Sequence, residues 1–413
     1  MPIADTLTPR ELRGRVANED ALGFDRLARA FLRTLTRLGP GAVAHIQGAP
    51  GSGKNEFMRR CLHYVESDHE LLGIETAAEL HPVAVWFNAG SYAHQGSALA
   101  GLVANIARVG GANNAGLLDR GRDLVTQMGR MRFDGVPAEL GGPGLSPGDP
   151  EPIERFRRAF ALLVDGAKSG QRGRLVVFVS DLDQLPAAQR MTFLDGVRLA
   201  TLGAPDCAFV IALGREAVLA SIRAREGEVS EVAASRILDE LTDLCVTVPR
   251  LEVRRIGALL RRYLGSGELV VRQAFGDESL GVLATTCAQR SIGIPRAIER
   301  LAARVAMLAE FALEARLFRE LTAGQWAWVI LSERWPSFRR YVIRGGRERW
   351  VELKLALTAL GAPDGQRPIP AEIAAAFQRD PLLAEFVRAH AQAFDADLQG
   401  IYWVDDLMFQ AGL

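Results

Sequence analysis

Cysteine is scarce in this chain of 413 residues. The four cysteines, Cys61, Cys207, Cys245 and Cys287, lie far apart and mostly within apolar stretches. They form neither a disulfide framework nor a zinc-ligand spacing, and they read as reduced core residues of a cytoplasmic protein. Long apolar runs are also missing. No stretch of about 18 uncharged apolar residues exists; the best candidate, 98–107, ends at Arg108. No signal peptide is legible in the charged N-terminal segment. There is no net charge: 49 Lys plus Arg balance 49 Asp plus Glu. That removes any global electrostatic case for binding DNA or RNA. What remains, 48% hydrophobic and 24% charged residues, is ordinary globular composition. The length suits two or three domains.

The most informative stretch is Gly48-Ala49-Pro50-Gly51-Ser52-Gly53-Lys54-Asn55. A short apolar run, 42–46, precedes it, and a helical run, 56–65, follows. Strand, glycine loop and helix with a lysine at its start is an arrangement that cradles phosphates. Glycines let backbone N–H groups crowd an anion without Cβ interference. The helix N-terminus adds about half a positive charge. Lys54 supplies a mobile full charge for the β- and γ-phosphates. The spacing matches G-x-x-x-x-G-K-[ST] except at its last position, where Asn55 replaces the hydroxyl that holds Mg²⁺.

Other elements follow in order. Thr8-Pro9-Arg10-Glu11 reads as a helix start, and Leu27, Phe31, Leu35 and Leu38 mark a helix over 26–38. Residues 82–87 read as a strand ending in Asn88-Ala89-Gly90-Ser91-Tyr92. Residues 97–131 look mostly helical. The Gly/Pro-rich stretch 135–152 reads as a long loop, and a helix resumes over 153–167. Residues 175–179 form the most strand-like run, ending in Ser180-Asp181-Leu182-Asp183. A carboxylate there, Asp181 or Asp183, suits a Mg²⁺–nucleotide site. Helix 187–202 and strand 207–213 come next. Arg215, just past that strand, reads equally well as a γ-phosphate contact, in its own subunit or a neighbour's, and as a surface ion pair. Residues 245–248 are the last strand candidate. From Leu251 the pattern is helical. Arg296 and Arg300 near the start of a helix over 297–311 oppose its dipole and suggest an anionic partner. Trp326, Trp328 and Trp335 read as packed core, 371–394 as helix, and Tyr402, Trp403 and Phe409 as anchors of the C-terminal segment.

Taken together, these pieces resemble the KAP family of P-loop NTPases, which is similar to the STAND and AAA-type ATPases. The lead-in Asp20-Ala21-Leu22-Gly23-Phe24-Asp25-Arg26, the Walker A loop Gly48 to Asn55, Val85-Trp86-Phe87-Asn88-Ala89, the Walker B strand with Asp181 and Asp183, the helix start Gly293 to Arg300, and Glu333-Arg334-Trp335-Pro336 match in order. The resemblance implies an α/β fold: a three-layer P-loop core with a mainly parallel sheet, then an all-helical lid and a C-terminal helical domain. The expected parts are an N-terminal helical segment 1–40, the core 41–250, the lid 251–321 and the C-terminal domain 322–413. It implies ATP or ADP with Mg²⁺. Gly48, Gly51, Ser52, Gly53, Lys54 and Asn55 would cradle phosphates, and Asn55 and Asp181 would ligate the metal. Asp181, Asp183 and Arg215 would serve catalysis, with Arg296 at a second sensor position. Nucleotide held between core and lid would switch regulated assembly, as in phage defence, with a protein partner or a second copy of the chain. Members that carry transmembrane helices insert them between the Walker motifs, where this chain has its Gly/Pro loop. Asn55, Ser180 and Gly214 depart from the family pattern. The first two fall on the same Mg²⁺ and open the alternative of a P-loop scaffold that binds partners without catalysis.

Overall fold

The computed structural model describes residues 20, 22–39, 41–67, 82–94, 97–109, 151–168, 173–227, 230–288, 293–361 and 368–413. The chain divides into two compact units, Met1–Val248 and Pro249–Leu413. The helix start at Thr8, the stretch 110–131, nearly all of the Gly/Pro-rich stretch and part of the loop before Ala371 lie outside the described residues.

In the first unit, β1 (Val43–Gln47), β2 (Val83–Asn88), β3 (Leu175–Ser180), β4 (Cys207–Leu213) and β5 (Leu244–Thr247) form one parallel sheet ordered β2-β3-β4-β1-β5. Parallel neighbours need crossovers, and helices supply them. After α1 (Asp25–Arg37), which precedes β1, the connecting helices are α2 (Lys54–Ser67), α3 (Ala98–Val109), α4 (Glu151–Ala167), α5 (Ala187–Gly203), α6 (Arg215–Glu226) and α7 (Glu231–Glu240). The two-residue period sends alternate side chains to opposite faces. Ala44, Ile46, Val176, Phe178 and Val210 pack with Phe31, Phe57 and Met58 of α1 and α2. Val177, Val179, Phe209 and Ile211 pack with Leu102, Phe160 and Phe193 of α3, α4 and α5. β3 and β4 are buried throughout, as continuous apolar runs require.

Two expectations need correction here. α4 begins at Glu151, inside the stretch expected to be irregular, because Pro152 falls in the first turn, where a missing N–H costs nothing. Cys245 is exposed, unlike the other three cysteines; β5 is an edge strand with alternating burial, and Cys245 is one of its two exposed residues.

The second unit is all-helical among its described residues: α8 (Val253–Leu264), α9 (Gly267–Phe275), α10 (Ser279–Cys287), α11 (Pro295–Glu314), α12 (Ala323–Arg334), α13 (Pro336–Arg344), α14 (Gly346–Gly361), α15 (Ala371–Arg379), α16 (Pro381–Ala396) and α17 (Leu398–Gln410). α12 is buried on all sides from Gly324 to Ser332, so the tryptophans are core. A capping box between Thr322 and Gln325 starts it. In its last turn Glu333 pairs with Arg304 at 2.9 Å and Arg300 at 3.3 Å on α11. Trp335 Nε1 donates to Asp380, and Pro336 opens α13. These contacts give the Glu-Arg-Trp-Pro motif a structural reason. The helix expected over 371–394 is two helices. Asp380 stops the first and caps the second, whose first residue is Pro381. Phe409 points outward at 76% exposure; Ile401, Val404, Leu407 and Met408 dock α17 instead.

Asp405, buried on α17, accepts from Trp328 Nε1 and Arg339 Nε, both at 2.8 Å. Asp405→Ala strands both donors, and stability should fall by about 3 kcal/mol, read from urea unfolding of this unit; a loss under about 1 kcal/mol contradicts that ion pair's importance.

Within β1, His45 is fully buried. Thr242 Oγ1 donates to the Leu238 carbonyl, so His45 Nδ1 is assigned as the donor to Thr242 across 2.7 Å. Burial lowers the His45 pKa to about 4. Unfolded histidine titrates near 6.5, so between these values the unfolded chain binds the extra proton. Stability is complete above about pH 6.5 and falls as pH drops toward 4, by up to about 1.4 kcal/mol per pH unit from this residue. Urea midpoints measured from pH 7 to 5 should show a drop that shrinks in His45→Gln; identical slopes contradict the assignment.

Candidate functional site

The strand ends lie level. Gln47 is in register with Leu213, Val179 with Ile211 and Ser180 with Asn88. Three loops therefore leave one edge of the sheet together, which in open parallel sheets is the edge where ligands bind. Gly48 to Gly53 link β1 to α2. Gly51 at φ +79° and Gly53 at φ +96° adopt backbone angles that L side chains rarely take. A Cβ on Gly53 would also press on Leu22 and Phe24 at 3.2 Å. The lead-in segment thus supports the loop from behind. Asp20 accepts from the N–H groups of Phe24 and Asp25, and Phe24 packs edge-on against Phe57. Ser52 Oγ is buried without a partner among the described residues, and a side chain on Gly48 would collide with it. The first N–H groups of α2 have no acceptor within the helix.

Lys54 Nζ donates to the carbonyls of Gly48 at 2.8 Å and Ala49 at 3.3 Å, and pairs with Asp183 Oδ2 at 3.5 Å. The other Asp183 oxygen accepts the Gly214 N–H at 2.6 Å. A Cβ on Gly214 would sit 3.1 Å from Asp183, so glycine leaves room for that contact. Asp181 holds a left-handed backbone at φ +57°, and its two oxygens accept from Asn55 Nδ2 at 3.2 and 3.4 Å. Ser180 is buried, with its hydroxyl toward the Phe87 carbonyl at 3.5 Å.

The structure therefore brings together Gly48, Gly51, Ser52, Gly53, Lys54, Asn55, Asp181 and Asp183. It pairs Arg215 with Asp239 of α7 at 3.7 Å. Arg296 lies in the second unit, exposed in the first turn of α11.

Arg190 of α5 escapes the sequence reading. Buried, it donates to the carbonyls of Leu182, Asp183, Leu185 and Ala217 and to Ser221 Oγ. It fixes the turn that carries Asp183. Burial lowers its pKa, and the nearby Asp183 charge opposes that. The signal was an arginine at a core position, one and two turns before Leu194 and Val197.

P-loop domains generally hold Mg²⁺ with a hydroxyl after the P-loop lysine and an aspartate at the Walker B strand end. Here the first position offers an amide already turned to Asp181, and the second a buried serine. Among the described residues, no cluster of three or more His, Cys, Asp or Glu could hold a metal ion. As they stand, these donors do not fit Mg²⁺.

A parallel sheet in this strand order, with a glycine loop, an invading lysine and a facing acidic turn, defines a P-loop nucleotide-binding domain. The match to known families is consistent with that class: the KAP family P-loop domain aligns with residues 24–312, most of the chain, and the chain belongs to that family. No curated protein matches it. Among the described residues, no helix is long and apolar enough to cross a membrane.

Arg190→Met leaves several buried carbonyls unpaired. We expect a stability loss of about 3 kcal/mol in denaturant unfolding; a change under about 1 kcal/mol contradicts its anchoring role.

Proposed function

We propose that the chain is a nucleotide-operated switch whose trigger is Lys54. One observation carries this reading: the Lys54 ammonium is shared between loop carbonyls and Asp183, and Asp183 also holds the N–H of Gly214 at the start of α6. A nucleotide phosphate in the Gly48 to Asn55 cradle competes for the three donors of that ammonium. Drawing Lys54 to phosphate leaves Asp183 without its cation and beside new negative charge. Asp183 then shifts, and the end of β4 and the first turn of α6, with Arg215, shift with it. The nucleotide is read as ATP or ADP by the family's likeness to ATPases. Asp181 and Asp183 are the candidate groups for orienting an attacking water. Regulated assembly, antiviral defence among its uses, is suggested by the same likeness.

A scaffold that binds nucleotide or partner without turnover is the second reading. The Asn55–Asp181 hydrogen bond supports it, because it engages one of the two candidate carboxylates.

Calorimetric titration with ATP and ADP should show binding by the native chain and a loss of about 100-fold or more in Lys54→Ala, as expected for removal of a charge-assisted phosphate contact. Equal affinity in the two proteins would remove Lys54 from the site. Turnover that disappears in Lys54→Ala would reject the scaffold.

A further inference from the structure

We infer that this site takes its nucleotide without a divalent cation, with the Asn55 amide occupying the position of metal and hydroxyl. The inference rests on the nucleotide-binding reading above. Mg²⁺ accepts oxygen donors in near-octahedral geometry and parts with water reluctantly. At the position after the P-loop lysine, Asn55 presents nitrogen to Asp181 rather than oxygen to a cation. Chemistry fixes that orientation. An ionised carboxylate only accepts hydrogen bonds, so the reversed amide would set oxygen against oxygen. At the strand end, Ser180 is buried at 1% exposure and its hydroxyl faces the Phe87 carbonyl. Asp183 is engaged on both oxygens, by Lys54 and by the Gly214 N–H. A cation entering here would meet an Asp181 carboxylate already shared with the Asn55 amide and an Asp183 carboxylate already held by Lys54 and Gly214.

The same amide serves phosphate. The two N–H bonds of an amide diverge by about 120°, so a single one reaches both Asp181 oxygens and the other remains to donate. Asn55 is the second residue of α2, next in sequence to Lys54 and within the first turn whose N–H groups are open. Asn55 also hydrogen-bonds the Asp181 carboxylate, turning it toward the amide. The three departures from the P-loop pattern then agree. Asn55 replaces the metal-binding hydroxyl, Ser180 removes a carboxylate that a metal would have balanced, and Gly214 leaves Asp183 to Lys54.

The test is calorimetric titration of the full chain with ATP and with ADP, in excess Mg²⁺ and in EDTA. The inference expects affinities within about threefold of each other in the two conditions, and a loss of about tenfold in EDTA for Asn55→Ala. Native affinity that falls about tenfold or more in EDTA overturns the inference and leaves nucleotide binding intact. Unchanged EDTA affinity in Asn55→Ala overturns the amide's role. Absence of binding in both conditions overturns the inference together with the reading beneath it.

Discussion

One ammonium group ties the nucleotide-binding edge of this sheet together. Lys54 follows β1, Asp183 follows β3, and Gly214 follows β4, the strand between them. Parallel register brings all three strand ends to one level. The Lys54–Asp183 pair therefore spans the end of an intervening strand, and the second Asp183 oxygen takes hold of that strand's backbone. Several otherwise separate features follow from this geometry. At Gly214 a Cβ would sit a tight 3.1 Å from Asp183. Arg190 is buried because the turn carrying Asp183 has carbonyls to satisfy. Since Asp183 is about a quarter exposed, the ion pair is partly screened and contributes modestly to stability. Its importance lies in what it connects.

The glycine loop owes its shape to a second layer of contacts. Gly53 turns with a positive φ against Leu22 and Phe24. Asp20 caps that lead-in segment, and Asp25 pairs with Arg60 of α2 at 3.3 Å. Apolar packing of Phe24 and Phe31 on Phe57 holds α1 against the helix that the loop initiates. The cradle is thus set by buried contacts before any anion arrives, which lowers the ordering cost of binding.

Much of this was legible in the sequence because it rests on local pattern. Continuous apolar runs identified β3 and β4, and glycine spacing identified the cradle. The Trp-rich run in α12 identified the core of the second unit. What escaped depends on three-dimensional neighbours. No periodicity tells that Asp183 rather than Asp181 meets Lys54, or that Asn55 faces Asp181. The left-handed turn at Asp181 sets those directions, and non-glycine residues seldom adopt it. Cys245 looked internal because an apolar strand does not announce that it is the edge. The break at Asp380 was written in Asp-Pro, yet the apolar spacing on either side masked it.

The central claim is that phosphate at the glycine loop is felt at the start of α6 through Asp183. Amide hydrogen exchange with and without ATP tests it most directly. The account predicts altered exchange at Gly214 and in the first turn of α6, in addition to protection across Gly51 to Phe57. Protection confined to the glycine loop and α2, with residues 214–218 unchanged, would contradict it.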